Sequence, residues 1–130
     1  MVFEKDTLCG IFHRRALRLG DSQRFLSSRF DENGVLTDAY HHITWKAARS
    51  QVIDFARGLV VLGVAAGDRV ALLSESRPRW IIADQAIQGT GAIEVPLHTT
   101  LTEGELVWMM ADSGARVIVT STAEKASMAL

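Results

Sequence analysis

The sequence predicts an α/β fold in which parallel βαβ units follow an N-terminal helix, a β-hairpin and a long helix. Two observations carry that expectation. Short apolar runs of strand length begin at Arg69, Ala92 and Arg116, 23 and 24 residues apart. Between them lie amphipathic stretches with helical periodicity, and strands alternating with helices require crossovers, which pair strands in parallel and right-handedly.

Upstream of that rhythm, a helix is expected from about Thr7 to Leu19. Leu8, Ile11, Phe12, Leu19 and the stem of Arg15 share its apolar face, Asp6 or Thr7 caps it, and Gly20 stands at the C-cap position. Arg14, Arg15 and Arg18 read as a solvated face near the negative end of the helix dipole. The runs Phe25 to Phe30 and Val35 to Ile43 flank Asp31-Glu32-Asn33-Gly34, a turn sequence, and predict a hairpin. From Thr44, an N-cap residue, Trp45, Ala48, Val52, Phe55, Ala56, Leu59 and Leu62 recur at helical spacing until Gly63.

The first parallel strand is expected over Arg69 to Leu73. Ser74 to Pro78 breaks it, and Pro78 suits the first turn of a helix carrying Trp80, Ile81, Asp84 and Ile87 as far as Gly89 and Gly91. Ala92 to Val95 is the second strand, stopped by Pro96. Thr102 with Glu105 three residues on is a capping-box pattern, and Leu106, Met109 and Met110 give that helix its apolar face. Ser113-Gly114 ends it, Arg116 to Thr120 is the third strand, and Ser121 or Thr122 caps a last helix towards Leu130.

Composition excludes several classes. The 130 residues are 48% hydrophobic and 22% charged, with a formal net charge of −1. That length suits one domain, and the charge balance gives no reason to bind nucleic acid or an anionic surface. The single cysteine, Cys9, excludes an internal disulfide and fits a cytoplasmic protein. The longest apolar run, Leu59 to Ala66, is far short of the roughly 20 residues of a membrane span, and acids near Met1 argue against an export signal.

The search for chemistry returns mostly absences. No Gly-rich phosphate loop and no GxSxG elbow occurs. Gly89-Thr90-Gly91 closes a helix instead of opening one, so its amides are not aimed at a phosphate. His41 and His42 are strand neighbours pointing to opposite faces, and His13 and His98 lack partners at ligand spacing, so no metal site is expected. Glu75, Asp84, Glu94, Glu103, Glu105 and Asp112 form no pair whose spacing demands convergence. Glu94, inside an apolar strand, is the exception: either a buried carboxyl with a displaced pKa or an edge or interface residue. No catalytic, cofactor-binding or metal-ligating residue is assigned.

Ile43 to Thr120 contains four blocks in order: ITWKAARSQVIDFARGLVVLGVAAGDRVALL, SESRPRWIIADQAI, GTGAIEVPLHTTLTEGEL and DSGARVIVTS. Together they resemble the N-terminal region of AMP-forming acyl-CoA synthetases, members of the adenylate-forming superfamily. The Ser-Glu-x-Arg-Pro-x-Trp run at Ser74 to Trp80 is most similar to the long-chain fatty-acid branch. Ser76, Arg79, Thr99, Glu103 and Gly104 depart from the family pattern, and loss of two prolines there loosens the loop before Thr102.

The resemblance implies that residues 1–130 form a single incomplete domain, a partial N-terminal subdomain of the ligase fold. It also implies a parent reaction in which a fatty acid and ATP, with Mg²⁺, give an acyl-adenylate that CoA then captures. That chemistry needs a loop of phosphate donors, a metal and a cation near the leaving atoms. In the family these follow the matched region, so the chain is expected to hold no cofactor and to be inactive alone. The alternative is a non-catalytic subunit or binding module that complements a separately encoded ligase remainder.

Overall fold

The computed structural model describes residues 6–31 and 33–129. The expectations that rest on Met1 to Lys5, Glu32 and Leu130 lie outside the described residues. The elements run α1 (Leu8–Leu19), β1 (Arg24–Phe30), β2 (Leu36–Thr44), α2 (Trp45–Val61), β3 (Arg69–Leu73), α3 (Pro78–Gly89), β4 (Ile93–Leu97), α4 (Glu103–Ser113), β5 (Val117–Thr120) and α5 (Ala123–Met128). Their order and type match the sequence reading. β1 and β2 pair antiparallel, and a separate parallel sheet has the order β4-β3-β5.

The caps follow from their residues. The hydroxyls of Thr7, Thr44 and Thr122 accept the amides of Gly10, Ala47 and Lys125 and so satisfy otherwise orphaned helix donors. At α4 both halves of the capping box form: the Thr102 hydroxyl accepts the Glu105 amide, and the Glu105 carboxylate accepts the Thr102 amide at 2.8 Å. Gly114 ends that helix with φ +63°, a left-handed conformation that a side chain would strain. In the hairpin turn, Asp31 Oδ1 accepts the amides of Asn33 and Val35, and Gly34 supplies φ +81°.

Successive residues of β3 face opposite ways, and the core divides accordingly. Val70 and Leu72 pack with Ala83 and Ile87 of α3 and with Leu59, while Ala71 and Leu73 pack with Leu97 and Leu106 of α4. A third cluster joins Phe12 of α1, Ala48, Val52 and Ala56 of α2, and Ile82 and Ala86 of α3. Helix α3 therefore serves two clusters at once. Full burial of Leu72 or Leu106 each contributes on the order of 2–3 kcal/mol.

Several predicted faces need correction. On α1 the buried residues are Cys9, Gly10, Phe12 and Ala16, while Leu8 and Ile11 are exposed, Leu8 by 69%. The buried face is the one carrying Phe12, whose ring packs among Ala48, Val52, Ala56, Ile82 and Ala86, and Leu8 and Ile11 lie off that face. Phe55 of α2 and Leu62 at its C-cap are exposed although the sequence placed both on the apolar stripe. Trp45 is half-buried and stacks edge-on against Phe25 at 4.7 Å and beside Phe12. Ile81 of α3 is also exposed. Strand β4 starts one residue late and runs through Pro96 to Leu97. Proline is accommodated because β4 lies at the sheet edge, where one side of the strand needs no donor.

Candidate functional site

In an open parallel sheet, ligands tend to bind beyond the strand carboxyl ends where successive connections leave on opposite faces. Here β3 leads into α3 on one face, whereas α4 and Met128 of α5 pack on the other. The crevice between the ends of β3 and β5 is thus the topological switch point.

Glu75 is the centre of that crevice. Its Oε2 accepts the Ser121 hydroxyl at 2.7 Å and Arg77 Nη2 at 3.1 Å, and its Oε1 pairs with Lys125. The side chains of Lys125 and Arg77 are each only 16% exposed, so both cations depend on this one carboxylate. The Arg77 guanidinium also lies 5.0 Å from the centre of the Phe30 ring, and its Nε is buried with no hydrogen-bond partner. A cavity of about 420 Å³ opens beside the network, lined by Ser74, Glu75, Ser76, Trp80, His98 and Thr99 among others. That lining offers one carboxylate and no Lys or Arg, so a triphosphate with its Mg²⁺ does not fit it. The crevice is a charged fastening between β3–α3 and β5–α5.

A larger cleft, about 1270 Å³, lies between the hairpin, α2 and the start of α3. Phe30, Tyr40, Ile43, Phe55 and Ile82 give it apolar walls, and Arg77 and Arg79 border it.

Most sequence-singled residues stay apart. Cys9 is buried with its sulfur 3.4 Å from the Thr7 hydroxyl. His13 Nδ1 accepts Arg49 Nε at 3.2 Å, and burial, then the Arg49 charge, pushes its pKa down. His41 Nε2 meets the Thr37 hydroxyl and His42 Nδ1 the Ser27 hydroxyl. Among the described residues no group of three or more His, Cys, Asp or Glu could hold a metal ion. Glu105 is held below the usual carboxylate range by the Thr102 amide and hydroxyl. Gly89, Thr90 and Gly91 close α3, with the Thr90 hydroxyl donating to Ile87 O at 2.7 Å.

One acid pair converges despite its spacing. Glu94 of edge strand β4 faces Asp84 of α3, and burial, followed by the Asp84 carboxyl, raises the Glu94 pKa to about 8. Its Oε1 is buried without a hydrogen-bond donor. Protonation relieves this by making the carboxyl a donor: the neutral Glu94 hydroxyl can donate to Asp84. Asp84 already accepts Gln85 Nε2 and Gln88 Nε2, which orients it. Both earlier readings of Glu94 hold: it is at an edge, and its carboxyl is perturbed.

Known proteins resemble this chain in sequence and fold. Among curated relatives it is 40% identical over 96 residues to the long-chain-fatty-acid–CoA ligase FadD15 of Mycobacterium bovis, covering 74% of this chain and 15% of that one. It is 32% identical over 108 residues to the long-chain-fatty-acid–[acyl-carrier-protein] ligase AEE15 of Arabidopsis thaliana, covering 80% and 15%. The chain thus spans about 15% of the length of these relatives. Its fold is similar to the N-terminal domain of FACL13 from Mycobacterium tuberculosis, with a TM-score of 0.72 at 24% identity over 92% of this chain and 28% of that one. The NpsA N-terminal subdomain of Klebsiella oxytoca gives 0.73 at 24% identity over 91% and 28%. The family described as AMP-binding enzyme matches residues 23–130, a longer stretch than the sequence blocks alone marked out, and the chain belongs to that family.

Proposed function

We propose that this chain is scaffold from the N-terminal part of a long-chain fatty-acid–CoA ligase and does not activate fatty acids by itself. The observation that carries the reading is the carboxyl end of its parallel sheet. There, Glu75 and Lys125 fasten the loops to one another, and the adjoining cavity presents a carboxylate where phosphate recognition needs cations and amide donors. The 40% identity to FadD15 supports the long-chain branch. In the complete enzyme, fatty acid, ATP with Mg²⁺ and CoA are the expected reactants, in a cytoplasmic setting, and residues 1–130 are part of one larger domain.

The test is fatty-acid-dependent pyrophosphate release by the purified chain with ATP, magnesium and palmitate. None is expected above a no-protein control. Robust turnover overturns the proposal.

A second reading, a subunit that completes a separately encoded ligase remainder, is favoured by exposed apolar side chains on the edge strand and on α4. Ile93 on β4 and Val107 and Trp108 on α4 are all exposed. Co-expression with the remaining portion of a related ligase, followed by co-purification and recovered acyl-CoA formation, supports it. Failure to associate dismisses it.

A further inference from the structure

Helix α1 turns apolar and cationic side chains to solvent together. Phe12 packs against residues of α2 and α3, and Cys9 and Ala16 are buried on the same side. Leu8, Ile11, Arg14, Arg15 and Arg18 are all exposed. At 3.6 residues per turn, Leu8, Ile11, Arg15 and Arg18 follow one outward ridge, with Arg14 beside it.

Little negative charge opposes those arginines. The helix itself contains no Asp or Glu, and Asp6 lies about two turns from Arg14. Asp21, just past the helix, accepts Lys46 Nζ at 2.8 Å and the Thr44 hydroxyl at 3.0 Å. Among the described residues, the guanidiniums of Arg14, Arg15 and Arg18 enter no ion pair or hydrogen bond. The net charge of −1 for the whole chain conceals this local concentration.

The shape of the face selects its partner. A helix of this length is about 18 Å long, so one side covers on the order of 200 Å², well under the roughly 800 Å² per partner of a stable protein interface. A lipid surface needs no matching relief. Its anionic head groups gather at the guanidiniums, whose stems lie along the boundary while short apolar side chains enter it.

We propose that the outward face of α1 docks on an anionic lipid surface, with Arg14, Arg15 and Arg18 at the phosphates and Leu8 and Ile11 inserted between head groups. Two inserted side chains make this attachment weak and reversible, and it lays α1 along the bilayer plane. The inference rests on α1 and not on the ligase reading, so either stands if the other fails.

The test is flotation of the 130-residue chain with vesicles of phosphatidylcholine alone or mixed equally with phosphatidylglycerol, at low and high salt; self-associated protein sinks and is not counted. Partitioning is expected to be roughly tenfold stronger on the anionic vesicles and to fall as salt rises. The double variant Arg14→Gln/Arg18→Gln is expected to weaken it roughly tenfold and Leu8→Ser roughly threefold, with thermal midpoints near that of the parent. Trp108→Ser, on exposed α4, is expected to leave it unchanged. Absence of flotation, equal partitioning on neutral and anionic vesicles, or no change in either α1 variant overturns the proposal. So does duplex DNA at matched phosphate concentration binding as tightly as the anionic vesicles, which would make the face a general polyanion site.

Discussion

Replacing Glu94 with Gln tests whether a strained carboxyl on β4 limits stability above neutral pH. In the folded chain the Glu94 pKa is raised from 4.5 to about 8, by burial first and by Asp84 second. Between those two values the folded state holds a proton that the unfolded state has released, so stability falls as pH rises through the window and levels off above about 8. One pH unit of displacement corresponds to about 1.4 kcal/mol, but water reaches part of this side chain and screens it, so we expect a recoverable penalty of about 1–2 kcal/mol. Glu94→Gln removes the charge and keeps an N–H donor for Asp84. It should match the parent at pH 4.5 and exceed it by about 1–2 kcal/mol at pH 9. Urea unfolding followed by tryptophan fluorescence at both pH values measures this. The displaced pKa of His13 affects parent and variant alike, so the difference between them isolates Glu94. An equal gain at both pH values, or none at pH 9, refutes the reasoning.

Other parts of the structure give equally specific expectations. Thr102→Ala deletes half of the α4 capping box and should lower stability by about 1 kcal/mol in the same urea assay; a change near zero contradicts the capping account. Glu75→Ala leaves Arg77 and Lys125 nearly buried without their shared carboxylate, and a loss of about 2 kcal/mol is expected, along with amide shifts throughout α5 by NMR. Both outer strands of the parallel sheet, β4 and β5, lack a neighbour on one side among the described residues, and Ile93 is 54% exposed on β4. The chain should therefore self-associate, and Ile93→Lys should reduce the association seen by sedimentation velocity. A monomeric parent with a sharp cooperative transition counts against that edge argument.

What could be read from the sequence was whatever depends on neighbours along the chain. The Thr102–Glu105 box, the Pro78 start and the Gly114 stop are local chemistry, and each forms as expected. The parallel sheet followed from length and alternation. Helix faces were less legible, because periodicity marks an apolar stripe without saying how closely a neighbour approaches it. In α1 the buried face carries Cys9, Phe12 and Ala16, while Leu8 and Ile11 stay exposed. In α3 no single stripe exists, since Ile82 and Ala86 face α1 and α2 while Ala83 and Ile87 face the sheet. Site pairings were least legible of all. Glu75 and Lys125 are 50 residues apart, and nothing in either segment names the other.

Those distant pairings also bear on the proposed scaffold role in physical terms. Phosphoryl chemistry needs donors that stay free to follow charge as it develops on transferring oxygens. At the switch point of this sheet, Ser121, Arg77 and Lys125 all spend hydrogen bonds on Glu75. Recruiting them to a substrate would expose Glu75 to the same anion and break the joint that secures α5. Arg77 Nε alone is left buried there without a partner. Charge at the sheet end is therefore used to fix elements to one another.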